Sequence, residues 1–227
     1  MPVCRHAALA ALAICATTLT VMAAGLPLTI EPVNTDALPD VGEDWLTENP
    51  YRADKVGPEV WQTAVDIGES GYIQNCARCH GLGVVSGGLA PDLRFLEAAE
   101  YGDEWYTERF IAGYTQDGTT RMPAFGDTLG QKAAWAIRTY IETRPEDGAF
   151  DAYNDRLVEI REALGAGTGD AAAMKTELTE IAAQVVTASG APVADSAVFR
   201  AAQQLGDTPE SRKLAFDTLT IGMSAAQ

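Results

Sequence analysis

"QNCARCHG", residues 74–81, decides how the rest of the chain is read. It sets two thiols three positions apart and places an imidazole directly after the second. A structural disulfide, a pair of zinc ligands, a redox-active dithiol and a haem attachment site each use some of these groups. A structural zinc site wants four ligands, commonly in two spaced pairs, and here there is one pair and one histidine. A thioredoxin-like dithiol belongs in an alternating strand–helix pattern, and none surrounds the motif. A disulfide across three positions closes a tiny loop and constrains the unfolded chain little. Haem attachment uses every group. Cys76 and Cys79, one helical turn apart, form thioethers to the two vinyl groups, and His80 becomes the proximal iron ligand. The reading is one covalent haem c.

The N-terminus agrees with that chemistry, which takes place in an exported compartment. Arg5 and His6 precede the apolar run "AALAALAICATTLTV", residues 7–21, and Val21-Met22-Ala23 offers the small residues that a signal peptidase reads. Residues 1–23 are therefore expected to be a signal peptide, with export to the periplasm and no membrane span after cleavage. An uncleaved anchor is the competing reading; the run is short and rich in Ala and Thr. Of four cysteines and two histidines, cleavage removes Cys4, Cys15 and His6. Cys76, Cys79 and His80 are what remains.

Upstream of the motif, Pro58 suits a first helical turn. Trp61, Ala64, Val65, Gly68 and Tyr72 then recur at helical spacing. Gly68 and Tyr72 share a face, so a second helix can approach closely at the glycine while the ring fills the joint. The partner is expected in "DTLGQKAAWAIRTYIET", residues 127–143, where Ala133, Ala134, Ile137, Tyr140 and Ile141 form an apolar stripe. Trp135 either joins that contact or covers the haem edge.

A second axial ligand is sought among the five methionines. Met122, in "TTRMPAFGD", is favoured. Pro123 keeps the preceding residue out of helix, so Met122 is expected in an extended loop over the open haem face. A thioether sulfur stabilises Fe(II) and raises the reduction potential, and two filled axial positions suit electron transfer. Met174 is instead expected in a helix core. Between motif and loop runs "GGLAPDLRFL", residues 87–96. Pro91 is expected to fix a turn near His80, and Arg94 is a candidate partner for a haem propionate. Trp105 and Tyr114 are candidates to line the pocket.

Residues 51–144 resemble a class I cytochrome c: a helix, Cys76-Ala77-Arg78-Cys79-His80, Pro91, Met122-Pro123 and a final helix, in that order. The resemblance implies an all-α fold wrapped around the haem. "PVNTDALPDVGEDWLTENPYR", "IGESGYIQNCARCHG" and "SGGLAPDLR" are further similar to the PedF-type periplasmic cytochromes, which accept electrons from PQQ-dependent alcohol dehydrogenases. That likeness includes an N-terminal extension, residues 24–50. It implies an electron-transfer protein rather than an enzyme, with such a dehydrogenase on one side and a terminal oxidase or another cytochrome on the other. A general respiratory carrier is the alternative; a haem sensor or peroxidase is a third, and needs an open axial site.

Residues 145–227 fall outside that resemblance and are expected to form an additional helical region. "RPEDGAF" marks a boundary. Tyr153, Leu157, Ile160 and Leu164 are helically spaced. Asp170 can cap a helix bearing Met174, Leu178, Ile181 and Val185, a third helix is expected near 196–205, and Thr208-Pro209 can start a fourth with Leu214 and Leu219. Formal charge is −16, and acids without any base fill residues 25–50. Such a chain is repelled by nucleic acid and is steered toward basic patches on proteins.

Overall fold

Two helices, α1 (Ala53–Asn75) and α4 (Gly126–Glu142), cross at the glycine that the sequence points to. A β-carbon added at Gly68 would meet the Ala136 carbonyl oxygen and Tyr140 Cβ. Tyr72 and Tyr140 fill the joint with ring centroids 5.4 Å apart. In α1 the backbone turns left-handed at Gly57, with φ +75°, so the continuous helix starts at Pro58. The proline's fixed φ and missing N–H cost nothing there.

The computed structural model describes residues 29–191 and 196–225. The expected signal peptide, residues 1–23, lies outside the described residues. Between α1 and α4 come α2 (Ala77–His80), α3 (Glu100–Ala112) and one antiparallel hairpin, β1 (Tyr114–Gln116) with β2 (Thr119–Met122). Among the described residues the fold is thus all-α apart from that hairpin and an isolated bridge between Pro145 and Thr187. No helix among the described residues is long and apolar enough to cross a membrane.

The acidic N-terminal extension is a belt laid over α1 and α4. Asn75 pins its start, accepting from Glu31 N–H at 2.8 Å and donating to the Glu31 carbonyl at 3.1 Å. Gln131 holds its middle, donating to the Gly42 and Asp44 carbonyls and accepting from Leu46 N–H. Beneath it, Leu38 and Tyr51 pack with Ala64, Trp135 and Ala136. Trp135 therefore joins the helix contact and not the haem edge; its indole N–H is buried without a hydrogen-bond partner.

A buried ionic quartet closes the belt. Arg52 bonds Asp103 at 2.8 Å and Glu142 at 2.9 Å, and Arg138 bonds Asp103 at 2.9 Å. Two cations face two carboxylates, so neither sign is left uncompensated. Burial pushes the Glu142 carboxyl above its ordinary value, against the pull of Arg138 and Arg52.

Residues beyond 145 build a second core from α5 (Asn154–Gly165), α6 (Ala171–Ala182), α7 (Ala197–Gln204) and α8 (Pro209–Ala225). Leu157, Ile160, Leu164, Met174, Leu178, Ile181, Val198 and Leu219 are among its buried members. The two expected caps are present: Asp170 accepts from Ala172 and Ala173 N–H, and Thr208 Oγ1 from Ser211 N–H. The third helix has its own cap in Ser196, which accepts from Phe199 N–H. Leu214 is the exception to the expected stripe. It is half exposed, and Ala215 and Leu219 carry the buried face instead.

The two parts are fastened by polar contacts. Glu146 N–H donates to the Val186 carbonyl at 2.9 Å, Ala98 N–H to the Ser189 carbonyl at 2.9 Å, and Arg200 pairs with Glu69 at 2.7 Å.

Candidate haem site

α1 delivers the motif. Cys76 N–H still bonds the Tyr72 carbonyl, and one more turn, α2, carries Cys79 and His80. Both cysteines are free and partly buried. Burial pushes the Cys76 thiol up to about 12, and the neighbouring Cys79 adds to the shift. The chain then leaves sharply. Gly81, at φ +85°, has no room for a β-carbon, which would fall 1.8 Å from the Val85 oxygen. Tyr72 Oη donates to the Gly81 carbonyl at 2.9 Å and ties this turn back to α1.

His80 is held by its ring nitrogen. Nδ1 lies 2.9 Å from the Pro91 carbonyl oxygen. A carbonyl only accepts, so Nδ1 carries the proton, and the Nε2 lone pair is free to act as a metal ligand. Pro91 thus does more than set a turn: its carbonyl fixes the tautomer and orientation of the imidazole. The following residue, Asp92, caps the short helical turn Leu93–Phe95 by accepting from Arg94 N–H, and also accepts from Ser86 N–H.

Arg94 has a different set of partners from the one expected. It is buried, and all five of its N–H bonds point at protein oxygens. Nε and Nη2 bond Asp92, Nη1 bonds Asp147 at 2.6 Å and the Pro145 carbonyl, and Nη2 also reaches Asp147. The guanidinium braces the loop after His80 against the start of the C-terminal region. A haem propionate would find no donor left on it.

Met122 closes β2. It is partly buried and packs against the same apolar cluster as Cys76 and Ala77, built on Val65, Tyr72, Val84, Leu93, Phe110 and Phe125. The sequence leads to an extended loop here. The structure has an ordered hairpin, with Asp117 at φ +50° and Gly118 at φ +74° forming the two-residue turn. Asp-Gly is a strong short-range hairpin signal. Tyr114 is the cross-strand partner of Met122. Arg109, which sequence reasoning passes over, stacks 5.4 Å from the Trp105 ring and 5.3 Å from the Tyr114 ring.

Does this arrangement fit haem c? Two thiols and a correctly protonated imidazole lie within one turn, and a soft thioether lies on the same apolar cluster. Around them, Leu82 and Leu89 are each 76% exposed, and Val85, Phe95 and Tyr114 are also exposed. Exposed apolar side chains in the segments that follow the motif suit a surface that a porphyrin's flat apolar body would cover. The donor set and its surroundings fit.

A family profile described as "Cytochrome C oxidase, cbb3-type, subunit III" matches residues 63–141. Cytochrome c550 of Pseudomonas aeruginosa is 47% identical over 116 residues, which cover 51% of this chain and 78% of that protein. Quinohemoprotein alcohol dehydrogenase ADH IIB of Pseudomonas putida is 34% identical over 80 residues, 35% of this chain and 11% of that protein. The cbb3-type cytochrome c oxidase subunit FixP of Rhizobium meliloti is 32% identical over 90 residues, 37% of this chain and 31% of that protein. No solved structure matches the chain significantly.

Proposed function

The chain belongs to the class I cytochrome c family, a family of electron carriers with covalent haem c, and from that premise we propose its place and partner: a periplasmic monohaem protein that takes single electrons from a PQQ-dependent alcohol dehydrogenase and passes them toward a terminal oxidase. Haem c, when bound through Cys76 and Cys79, supplies a one-electron Fe(III)/Fe(II) couple. This chain's residues supply the rest. Pro91 would hold His80 with its other ring nitrogen available as one ligand of the iron, and the hairpin would offer Met122 as the second. An iron ligated by both suits electron transfer rather than sensing or peroxide chemistry, which need an open position.

The observation that carries the partner is the likeness to quinohemoprotein alcohol dehydrogenases. By their names, those proteins unite a quinone, a haem and an alcohol dehydrogenase. The likeness spans 80 residues, 35% of this chain. A separate cytochrome chain similar to part of such an enzyme is suited to receive electrons from a dehydrogenase that holds only the quinone. The likeness to FixP supports the onward step to an oxidase.

Stopped-flow mixing of the holoprotein with a purified PQQ alcohol dehydrogenase and its alcohol tests the reading. Reduction should be fast and should slow as salt rises, because the carrier is acidic and steered association is screened by ions. Reduction no faster than that of an unrelated cytochrome c would leave a general respiratory carrier in its place.

A further inference from the structure

The loop that orients His80 is fastened to the C-terminal helical region at two points. The first is Arg94. Its guanidinium, 4% exposed, grips Asp92 on one side and Asp147 on the other. The second is backbone: Ala98 N–H donates to the Ser189 carbonyl. Asp147 and Ser189 are themselves held together. Pro145 and Thr187 form an antiparallel bridge, Glu146 N–H bonds the Val186 carbonyl, and Ser189 Oγ bonds the Glu142 carbonyl. Residues 91–98 thus run from the His80 hydrogen bond to a hydrogen-bonded anchor at residues 142–147 and 186–189. The Pro91 carbonyl on Nδ1 is the free end of that segment, one residue from the Asp92 carboxylate that Arg94 holds.

We propose that Asp147 is a positioning residue for the haem site: by clamping Arg94 it keeps the Pro91 carbonyl on His80 Nδ1 and so sets the donor strength of the proximal imidazole. The C-terminal region then has a task beyond packing, as the fixed mount of the proximal loop. The proposal rests on His80 being the proximal ligand. A hydrogen bond from the remote ring nitrogen of a ligating histidine fixes the ring and raises its basicity. A more basic imidazole favours the oxidised iron. Loosening the clamp therefore favours the reduced form.

Asp147 is suited to the test because its carboxylate is 75% exposed, so replacing it leaves the fold intact. Full-length holoprotein is compared as wild type, Asp147→Ala, Asp147→Asn and Asp147→Glu. Exchange of the His80 Nδ1 proton, read by NMR in the reduced state, should accelerate about tenfold or more in Asp147→Ala and return toward wild type in Asp147→Glu. The ratio of reduced to oxidised protein at a fixed solution potential should rise severalfold in Asp147→Ala and hold in high salt. A merely local charge would change that ratio equally in Ala and Asn variants, lose the effect on adding salt, and leave proton exchange unmoved; that pattern overturns the proposal. If wild-type spectra show no histidine ligation at all, the axial assignment fails, and the proposal falls with it for a distinguishable reason.

Discussion

Gly68 in α1 faces the main-chain oxygen of Ala136 in α4 so closely that an added β-carbon would come within 1.9 Å of it. The offending atom is backbone, so no side-chain rotation relieves the clash. Gly68→Ala should force the two helices apart and cost about 3 kcal/mol, at the upper end for overpacking. Denaturant unfolding of the holoprotein checks this. A loss under about 0.5 kcal/mol would mean that the helices do not cross there in solution.

Met122→Ala removes the soft sulfur from the distal side. The sulfur-to-iron charge-transfer band should vanish, and the midpoint potential should fall because Fe(II) loses its preferred ligand. Added carbon monoxide should then bind the reduced protein readily. An unchanged band assigns the position to another residue.

The hairpin turn gives a subtler handle on the same ligand. Gly118 holds φ at +74°, which costs an L-residue with a β-branched side chain about 1–2 kcal/mol. Gly118→Val should therefore lower stability by that amount and accelerate displacement of Met122 by imidazole. Displacement kinetics identical to wild type would show that the turn does not secure the ligand.

Asp92 makes the proximal loop sensitive to acid. Burial would raise its carboxyl, but the Arg94 side-chain and backbone hydrogen bonds and charge outweigh that, and the carboxyl lies below its ordinary value of 3.8. A depressed carboxylate contributes stability above its unfolded pKa and loses it as pH falls through the folded pKa. Asp92→Asn should cost about 1–3 kcal/mol at neutral pH, and the gap from wild type should close as pH drops below 3.8. A gap independent of pH would show that the charge contributes nothing.

Local chemistry was readable and distant chemistry was not. The motif at residues 74–81, the glycine–tyrosine face of α1 and the caps Asp170 and Thr208 all act within a few positions of themselves, so residue type and spacing carry them. The Asp117-Gly118 turn is equally local, whereas Pro123 by itself points to a loop at Met122. Arg94 shows the other limit. Guanidinium chemistry allows a propionate or a carboxylate, and the partner chosen, Asp147, lies 53 positions away. The quartet of Arg52, Asp103, Arg138 and Glu142 is likewise assembled from three separate segments, and no window of sequence contains it.

The buried cluster around Leu157, Leu178 and Leu219 shares no residue with the one around Tyr72, Phe110 and Ile137. Substitutions that reshape one interior are therefore not felt directly as cavities or clashes in the other; among the described contacts along the seam between the two parts are charge pairs and main-chain bonds. Lineages can diversify the outer four helices, altering surface and charge, while the residues that grip the pigment stay untouched. The seam is then where the two histories have to agree.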